Sequence, residues 1–521
     1  GANPYWTINK NLKEIIDNRI IGYMSLKYNF ADNLSLLVRT AVDQSSQSRE
    51  DRLYNDSYII ADNGNYVTRN ASSLEWNTDF LLSYDKQIND NLAFNLNVGG
   101  NNRQANNKFV RTNAGGLNAA NIFAISNAQN LTATQDLNRR EVNSLYAFGQ
   151  VALKDAVFLD LTYRSDWSST LPEANRRFDY YSAGLSAVVS DLTTLPEFFS
   201  FLKLRGSYAE VGNDTSPFNL VQVADLRAGG FIQLGTQLPN PDLRPERTKS
   251  LEFGFDARFL DSRLGVDFTY YKTNSIDQLF GQQVPQGSGV STKFINGADI
   301  QNNGVEVILT GTPVNTADFS WNITFNYAKN NSEVLSLAEG LETLSFGGDF
   351  FRRFELNVGD EWGNVYSRGF ARDDQGRVLV AADGTPEVTS GQEVLVANFN
   401  PDWLGGMNNS FTYKNWNFGF LIDIRQGGEV GSFTNAILAS DGALQSTVAG
   451  RDGSLVFGTN VFPGLDVVQA DGSANNIQVN AEQFWAKVGG RNSPVGEAFV
   501  VDASNIRMRE LSVGFSLPRS L

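Results

Sequence analysis

Cysteine and histidine are both absent from this 521-residue chain. Without cysteine there is no disulfide framework and no thiolate metal site. Without histidine, Ser-His and Cys-His nucleophilic catalysis and the usual zinc ligand sets are excluded as well. We therefore expect no catalytic residue, no metal site and no cofactor.

Long hydrophobic runs and dense basic runs are also missing. The chain is 41% hydrophobic with a mean hydropathy of -0.27, and no apolar run reaches the length of about 18 residues that a membrane-spanning helix needs. A helical membrane protein is therefore excluded. The formal net charge is -15, and a nucleic-acid partner is not expected because phosphate binding leaves a basic footprint.

What the chain does contain is alternation of apolar and polar side chains over stretches of about ten residues. One stretch places Leu251, Phe253 and Phe255 on one face and Glu252 and Asp256 on the other. A period of two indicates a β-strand with one apolar and one polar face. After a short break the pattern returns, so the two stretches form a hairpin.

The same pattern predicts fifteen strands. They lie near residues 20–30, 34–43, 73–86, 91–101, 142–153, 156–167, 178–190, 201–211, 248–260, 262–273, 302–312, 318–329, 404–414, 415–427 and 505–517. Short turns alternate with long connections, the latter at about 44–72, 102–141, 213–247, 274–301, 330–403 and 428–504. Short turns on one rim and long loops on the other are typical of outer-membrane barrels, with the long loops extracellular.

We therefore predict an all-β fold, a transmembrane antiparallel β-barrel that places lipid outside and water inside. Residues 1–521 are predicted to form the middle and later part of one barrel domain. An odd number of strands does not easily close a bacterial barrel, and the chain starts at Gly1 without an initiator methionine or signal peptide. We expect missing strands at one or both ends.

Seven short motifs carry a family resemblance. They are residues 3–6 (NPYW), 164–169 (RSDWSS), 202–208 (LKLRGSY), 240–246 (NPDLRPE), 302–306 (NNGVE), 400–403 (NPDW) and 506–512 (IRMRELS). In this order they resemble the SusC/RagA-like family of TonB-dependent outer-membrane transporters, of the Bacteroidetes type. Most of these positions suit barrel assembly: Pro241 and Pro245, for example, fix φ and favour an extended entry into a strand.

The resemblance implies a 22-stranded barrel in the outer membrane of a Gram-negative bacterium, plugged by an N-terminal domain that is not present here. It also implies a SusD-like surface lipoprotein as a lid, and TonB, acting through the plug, as the source of energy for importing an oligosaccharide or a peptide. The alternative is a passive porin or a surface adhesin barrel without energy coupling. An enzyme built on carboxylates alone is not expected, since carboxylates are ordinary in a wet lumen.

The candidate ligand contacts lie in the two longest connections, where aromatic faces and arginines suit sugar rings or peptides. They are Phe351, Arg352, Arg353, Trp362 and Tyr366 in the first, and Phe484 and Trp485 in the second. The alternative is that these side chains pack the loops against one another or against the plug. Asp373 to Gly376 and Asp383-Gly384 resemble calcium loops but lack the full ligand spacing, so hairpin turns are the preferred interpretation.

Overall fold

The fold was analysed in a computed structural model, which describes residues 3–58, 63–226 and 230–517. Fifteen strands form one antiparallel sheet in sequence order. They are β1 (Asn11–Ala31), β2 (Leu34–Tyr54), β3 (Gly64–Asn89), β4 (Leu92–Leu117), β5 (Ala128–Leu153), β6 (Val157–Ser168), β7 (Arg177–Val188), β8 (Phe199–Asn213), β9 (Glu246–Phe259), β10 (Leu264–Gln283), β11 (Thr292–Asn315), β12 (Phe319–Leu337), β13 (Trp403–Tyr413), β14 (Trp416–Gln426) and β15 (Asn505–Phe515). The predicted all-β class and the fifteen predicted strands are confirmed.

Short turns follow one edge of the sheet and the longest connections leave the other, as predicted, except that β7 and β8 are joined on the short-turn edge by the longer segment 189–198. The turn between β5 and β6 places Lys154 and Asp155 at φ of 52° each, which matches the left-handed conformation of a tight hairpin turn. We call the edge of the sheet with the short turns the turn rim and the opposite edge the loop rim. The connection from β12 to β13 and the one from β14 to β15 are the longest on the loop rim.

Several strands extend further toward the loop rim than the sequence indicates. The pairing of β2 with β3 continues to Tyr54 and Gly64, and that of β4 with β5 continues to Leu117 and Ala128. The predicted connections 44–72, 102–141 and 274–301 are therefore corrected, because much of each is strand. Alternation fails to mark these extensions because both of their faces are largely polar, as expected for a strand that has left the membrane.

The register gives the sheet one apolar and one polar face, because directly opposed residues in neighbouring strands point to the same side. On the apolar face Leu204, Phe255, Phe268, Val307 and Tyr327 follow one another across five strands. Phe255 and Phe268 stack with ring centroids 5.5 Å apart. Barrel strands in a membrane turn such a face to lipid.

The remaining elements lie mostly at the loop rim. The helices are α1 (Pro4–Lys10), α2 (Val189–Leu192), α3 (Phe433–Ser440) and α4 (Ala481–Val488). The short strands outside the main sheet are 224–226, 232–234, 343–348, 353–357, 364–367, 378–379, 394–398, 429–431, 467–468 and 500–502. Strand 237–238 joins the main sheet by pairing in parallel with β11. Within the described residues, β1 and β15 each pair with a single neighbour in the main sheet, so the sheet is not closed. The predicted count of 22 strands stays a prediction. No helix in the described part of the chain has the length and apolarity needed to cross a membrane.

Candidate functional site

The polar face of the sheet carries a series of ion pairs. Arg39 Nε lies 2.9 Å from an Asp79 carboxylate oxygen, Arg103 Nη2 lies 2.7 Å from Glu75, and Arg164 Nε lies 2.8 Å from Asp166. Further round the sheet Arg205 pairs with Asp267 at 2.6 Å, and Asp423 accepts from Arg507 and Arg509. Charged groups at this density require water or mutual pairing, so this face is suited to a hydrated lumen.

A buried polar network ties the connection after β8 to the wall of the sheet. Asp214 has a side chain that is only 2% exposed, and its carboxylate pairs with Arg140 and accepts from the hydroxyls of Ser168 and Thr170. A buried carboxylate is stable only when it is paired and hydrogen-bonded. The network therefore fixes the start of the 214–245 connection against β5 and β6.

The two longest connections fold together at the loop rim. We call residues 338–402 and 427–504 the loop layer. Its hydrophobic core takes side chains from both connections: Phe351, Phe370, Val378, Val380, Ala436, Ala439, Leu455, Phe457, Val461, Val467, Val479, Ala481, Phe484, Trp485, Val488, Val495 and Phe499. The backbone joins them as well, since residues 378–379 pair in parallel with residues 467–468.

Helix α4 shows how the sequence places its residues in this core. Asn480 caps the helix by accepting from the amides of Glu482 and Gln483, as an N-terminal cap requires. The apolar residues that follow lie at intervals of three, four and seven, which is one face of a helix. They are Ala481, Phe484, Trp485 and Val488, and all four are buried.

Three of the predicted ligand contacts belong to this core. Phe484 is fully buried, and Phe351 and Trp485 are each 5% exposed. Phe484 packs against Phe457 at 5.3 Å and against Trp485 at 5.2 Å between ring centroids. Packing therefore accounts for these three side chains, and the prediction of ligand contact now rests on the other four.

Arg353 and Tyr366 face each other across a small sheet in the loop layer. The sheet consists of strands 343–348, 353–357, 364–367 and 394–398, and Arg353 lies directly opposite Tyr366 with its guanidinium 5.9 Å from the ring centroid. The hydroxyl of Tyr366 donates to Asp360 at 3.2 Å. Burial raises the pKa of that hydroxyl, and the Asp360 carboxylate raises it further, so Tyr366 is a neutral donor at every physiological pH.

Arg352 and Trp362 belong to an aromatic group beside a second, smaller core. Arg352 lies over the ring of Phe354 at 5.1 Å. Phe346 stacks on both Phe354 and Trp362, at 6.1 Å and 5.3 Å between centroids. Trp362 and Phe346 also pack against the buried cluster of Ile295, Ala298, Ile300, Val334, Leu344 and Leu356. Arg353 and Tyr366 thus lie in the small sheet, with Arg352 and Trp362 in the segments next to its strands, and whether the four touch a ligand stays a prediction.

The two segments that resemble calcium loops are turns. Asp373 accepts from the amides of Gln375 and Arg377 with one carboxylate oxygen, and Asp383 accepts from both the amide and the hydroxyl of Thr385. The carboxylates are therefore used by the turns themselves. Across the described residues, no group of three or more His, Cys, Asp or Glu side chains could hold a metal ion.

The Asp214 network is a feature that the sequence analysis missed. Ser168 lies in the motif at residues 164–169, but nothing in the alternation shows that it is buried beside a carboxylate 46 residues away. Another missed feature is the hairpin 224–226 and 232–234, which exposes Leu226 and Ile232 almost completely. The only sequence signal was that both lie in a predicted long connection.

Comparison with known proteins places these features in a family. Residues 1–477 match the family model described as TonB dependent receptor-like, beta-barrel. TonB-dependent receptor P3 of Formosa agariphila is 24% identical over 575 residues, covering 99% of this chain and 53% of that protein. TonB-dependent receptor SusC of Bacteroides thetaiotaomicron is 23% identical over 399 residues, covering 71% of this chain and 37% of that protein.

A solved structure shares the fold. The structure of the RagAB peptide transporter superposes with a TM-score of 0.79 at 17% identity, covering 99% of this chain and 57% of that chain. The chain spans about half the length of TonB-dependent receptors P3 and P26 of Formosa agariphila. The predicted resemblance to SusC/RagA-like proteins and the outer-membrane location are confirmed. The chain belongs to the TonB-dependent receptor-like β-barrel family of Gram-negative outer-membrane proteins.

Proposed function

We propose that the chain forms much of the wall of an energised outer-membrane importer for a nutrient, either a peptide or an oligosaccharide. The observation that carries this proposal is the sheet itself, which has an apolar face for lipid, a polar face lined by ion pairs and a folded loop layer above one rim. Such a wall suits the passage of a polar solute. The chain contributes no catalysis in this proposal.

A peptide is the favoured substrate class of the two. One solved structure with the same fold is that of a peptide transporter, and the candidate contacts combine cationic, aromatic and hydroxyl groups. Arg353 also pairs with Glu355 at 2.9 Å. The small sheet therefore carries hydrogen-bond donors on the guanidinium and an acceptor on the carboxylate, the two kinds of group that a peptide backbone requires. The oligosaccharide that the family resemblance implies is the second candidate.

The partners follow from the same reasoning. We propose that the loop layer lies outside the cell and supplies much of the surface on which a SusD-like lipoprotein closes over the ligand. We propose that TonB acts through a plug domain of the full-length protein. Residues 1–521 then form one domain, since the smaller core packs Ile300 and Val334 of the main sheet against Leu344 of the loop layer.

A transport assay on the full-length protein tests the substrate class. Cells that express it are given fluorescent peptides or fluorescent oligosaccharides of matched size, and uptake is measured for the wild type, Arg353→Ala and the control Arg491→Ala. Arg491 is also an exposed arginine of the loop layer with an acidic partner. We expect peptide uptake to fall in Arg353→Ala alone. Uptake of the oligosaccharide alone would refute a peptide as the substrate class. Equal peptide uptake by the two variants would show that Arg353 is not a ligand contact.

A further inference from the structure

Strand β5 rises well above its neighbour β6 at the loop rim. The pairing of β5 with β4 continues to Ala128, whereas its pairing with β6 ends at Val142 opposite Ser168. Two further bonds join them at Glu141: its carbonyl accepts from the amide of Ser169 at 2.9 Å, and its amide donates to the hydroxyl of Ser169 at 2.9 Å. In the part of the chain that the structure describes, residues 128–140 have no backbone partner on that side.

The backbone groups of this free edge have a fixed direction. Because the carbonyl of Glu141 points to β6, every second residue before it points its N–H and C=O groups to the same side. These are Leu131, Ala133, Gln135, Leu137 and Arg139. From Leu131 to Arg139 the edge spans about 26 Å at roughly 3.3 Å per residue, and it contains none of the prolines or bulges that protect natural edges.

A cavity of about 740 Å³ opens beside this edge. Its lining includes Lys108 of β4 and Arg139 of β5, which are diagonal neighbours. Both side chains lie on the same side of the sheet as the apolar face, in the parts of the strands that extend beyond the membrane. Neither forms an ion pair with a described residue, while the carboxylate of Glu141 accepts from the side-chain amide of Asn102 at 2.8 Å. Arg140 is paired with Asp214, so Lys108 and Arg139 against the single carboxylate of Glu141 leave the cavity with one net positive charge.

We propose that this edge and cavity bind an extended, acidic segment of another surface polypeptide by strand addition. A row of unpaired backbone amides and carbonyls is complementary to a polypeptide and not to a glycan. The cavity alongside would take the carboxylates of alternate residues of the added strand. Because it lies on the lipid-side face and not on the polar face, the occupant is a partner and not a solute in transit.

A second copy of the chain in the same membrane cannot add to this edge as an antiparallel strand. Two identical strands that pair antiparallel are related by a two-fold axis perpendicular to their sheet. For a barrel wall, that axis lies in the plane of the membrane. Such an axis would turn one copy upside down in the bilayer. The inference is independent of the transported solute and of energy coupling.

The test uses the full-length protein in lipid vesicles and two fluorescent octapeptides, one alternating Thr and Glu and the other alternating Thr and Lys. We expect the acidic peptide to bind at least tenfold more tightly and to slow hydrogen exchange at residues 131–139.

Gln135→Pro removes one edge donor without touching the pairing with β4, and Arg139→Glu reverses the charge of the cavity. Each should weaken acidic-peptide binding at least tenfold. Lys272→Glu is the control, because Lys272 lies on the same side of the sheet but on β10, far from this edge, and it should leave binding unchanged.

Arg139→Glu should in addition shift the preference to the lysine peptide, which a loss of folding would not do. Equal binding of both peptides to the wild type would overturn the proposal. Edge amides that are already protected in the protein without peptide would overturn it too, because the edge would then be occupied from within. Binding that persists in both variants would place the peptide elsewhere, most simply at the polar face.

Discussion

Val307 and Ile308 offer the sharpest test of which face meets lipid. They are adjacent β-branched residues on β11 whose side chains point to opposite faces of the sheet. Val307 lies between Phe268 and Tyr327 on the apolar face, whereas Ile308 lies opposite Asp267 on the polar face. A lysine at the bilayer midplane on the lipid side costs about 2–4 kcal/mol, or roughly 30- to 900-fold in the folding equilibrium.

We therefore expect Val307→Lys to lower the free energy of unfolding by about that amount. Ile308→Lys should cost less than about 1 kcal/mol, because its ammonium group meets water and the carboxylate of Asp267. The assay is reversible unfolding of the full-length protein in lipid vesicles, followed by tryptophan fluorescence. Hydropathy alone ranks the two substitutions the other way, since isoleucine is the more apolar residue. Equal costs, or a larger cost at Ile308, would refute the assignment of the faces.

Three further predictions concern the loop layer and the lumen. Phe484→Ala should destabilise the loop layer by about 3–5 kcal/mol through an unfilled core cavity, seen as faster hydrogen exchange there while the main sheet is unchanged. Hydrogen bonds from Thr385, first from its hydroxyl and then from its amide, lower the pKa of Asp383. The carboxylate therefore stabilises the loop layer at pH values above its ordinary pKa of about 3.9, and this stabilisation is lost as the pH falls through the lowered pKa. The melting temperatures of Asp383→Asn and the wild type should thus differ at pH 7 and converge in acid. Arg205→Ala should cost less than about 1 kcal/mol because its pair with Asp267 is half exposed to a wet lumen, as measured by vesicle unfolding.

Each of these has a result that would contradict it. Unchanged exchange in Phe484→Ala, or an equal effect in the half-exposed control Phe350→Ala, would show that the loop layer has no cooperative core. A difference for Asp383→Asn that grows in acid would reverse the assigned sign. A loss above about 3 kcal/mol for Arg205→Ala would indicate a dry, buried pair and not a hydrated one.

The sequence was sufficient for the strands that cross the membrane. In residues 251–259 lipid and water impose strict alternation, and the pairing of Phe255 with Phe268 follows from it. Beyond the membrane that constraint is absent. Residues 103–112 of β4 therefore read as a loop although they pair along their whole length with β5.

The candidate site was predicted less well, for a related reason. Aromatic residues in a long connection show no period, so Phe484 in a packed core cannot be distinguished from an aromatic that meets a ligand. Only the short helix around Phe484 carries a readable pattern, with its Asn480 cap and regular apolar spacing. The contact between Arg140 and Asp214 joins residues 74 positions apart, and no local pattern predicts a pair at that separation.

Energy dependence of uptake tests the central claim most directly. Cells expressing the full-length protein are given the fluorescent substrate, and accumulation is followed with and without TonB and with and without an uncoupler of the proton-motive force. An energised importer accumulates substrate above the external concentration, and loses that accumulation when either TonB or the proton-motive force is removed. Uptake that stops at the external concentration and is indifferent to both treatments would contradict the proposal and identify a passive pore.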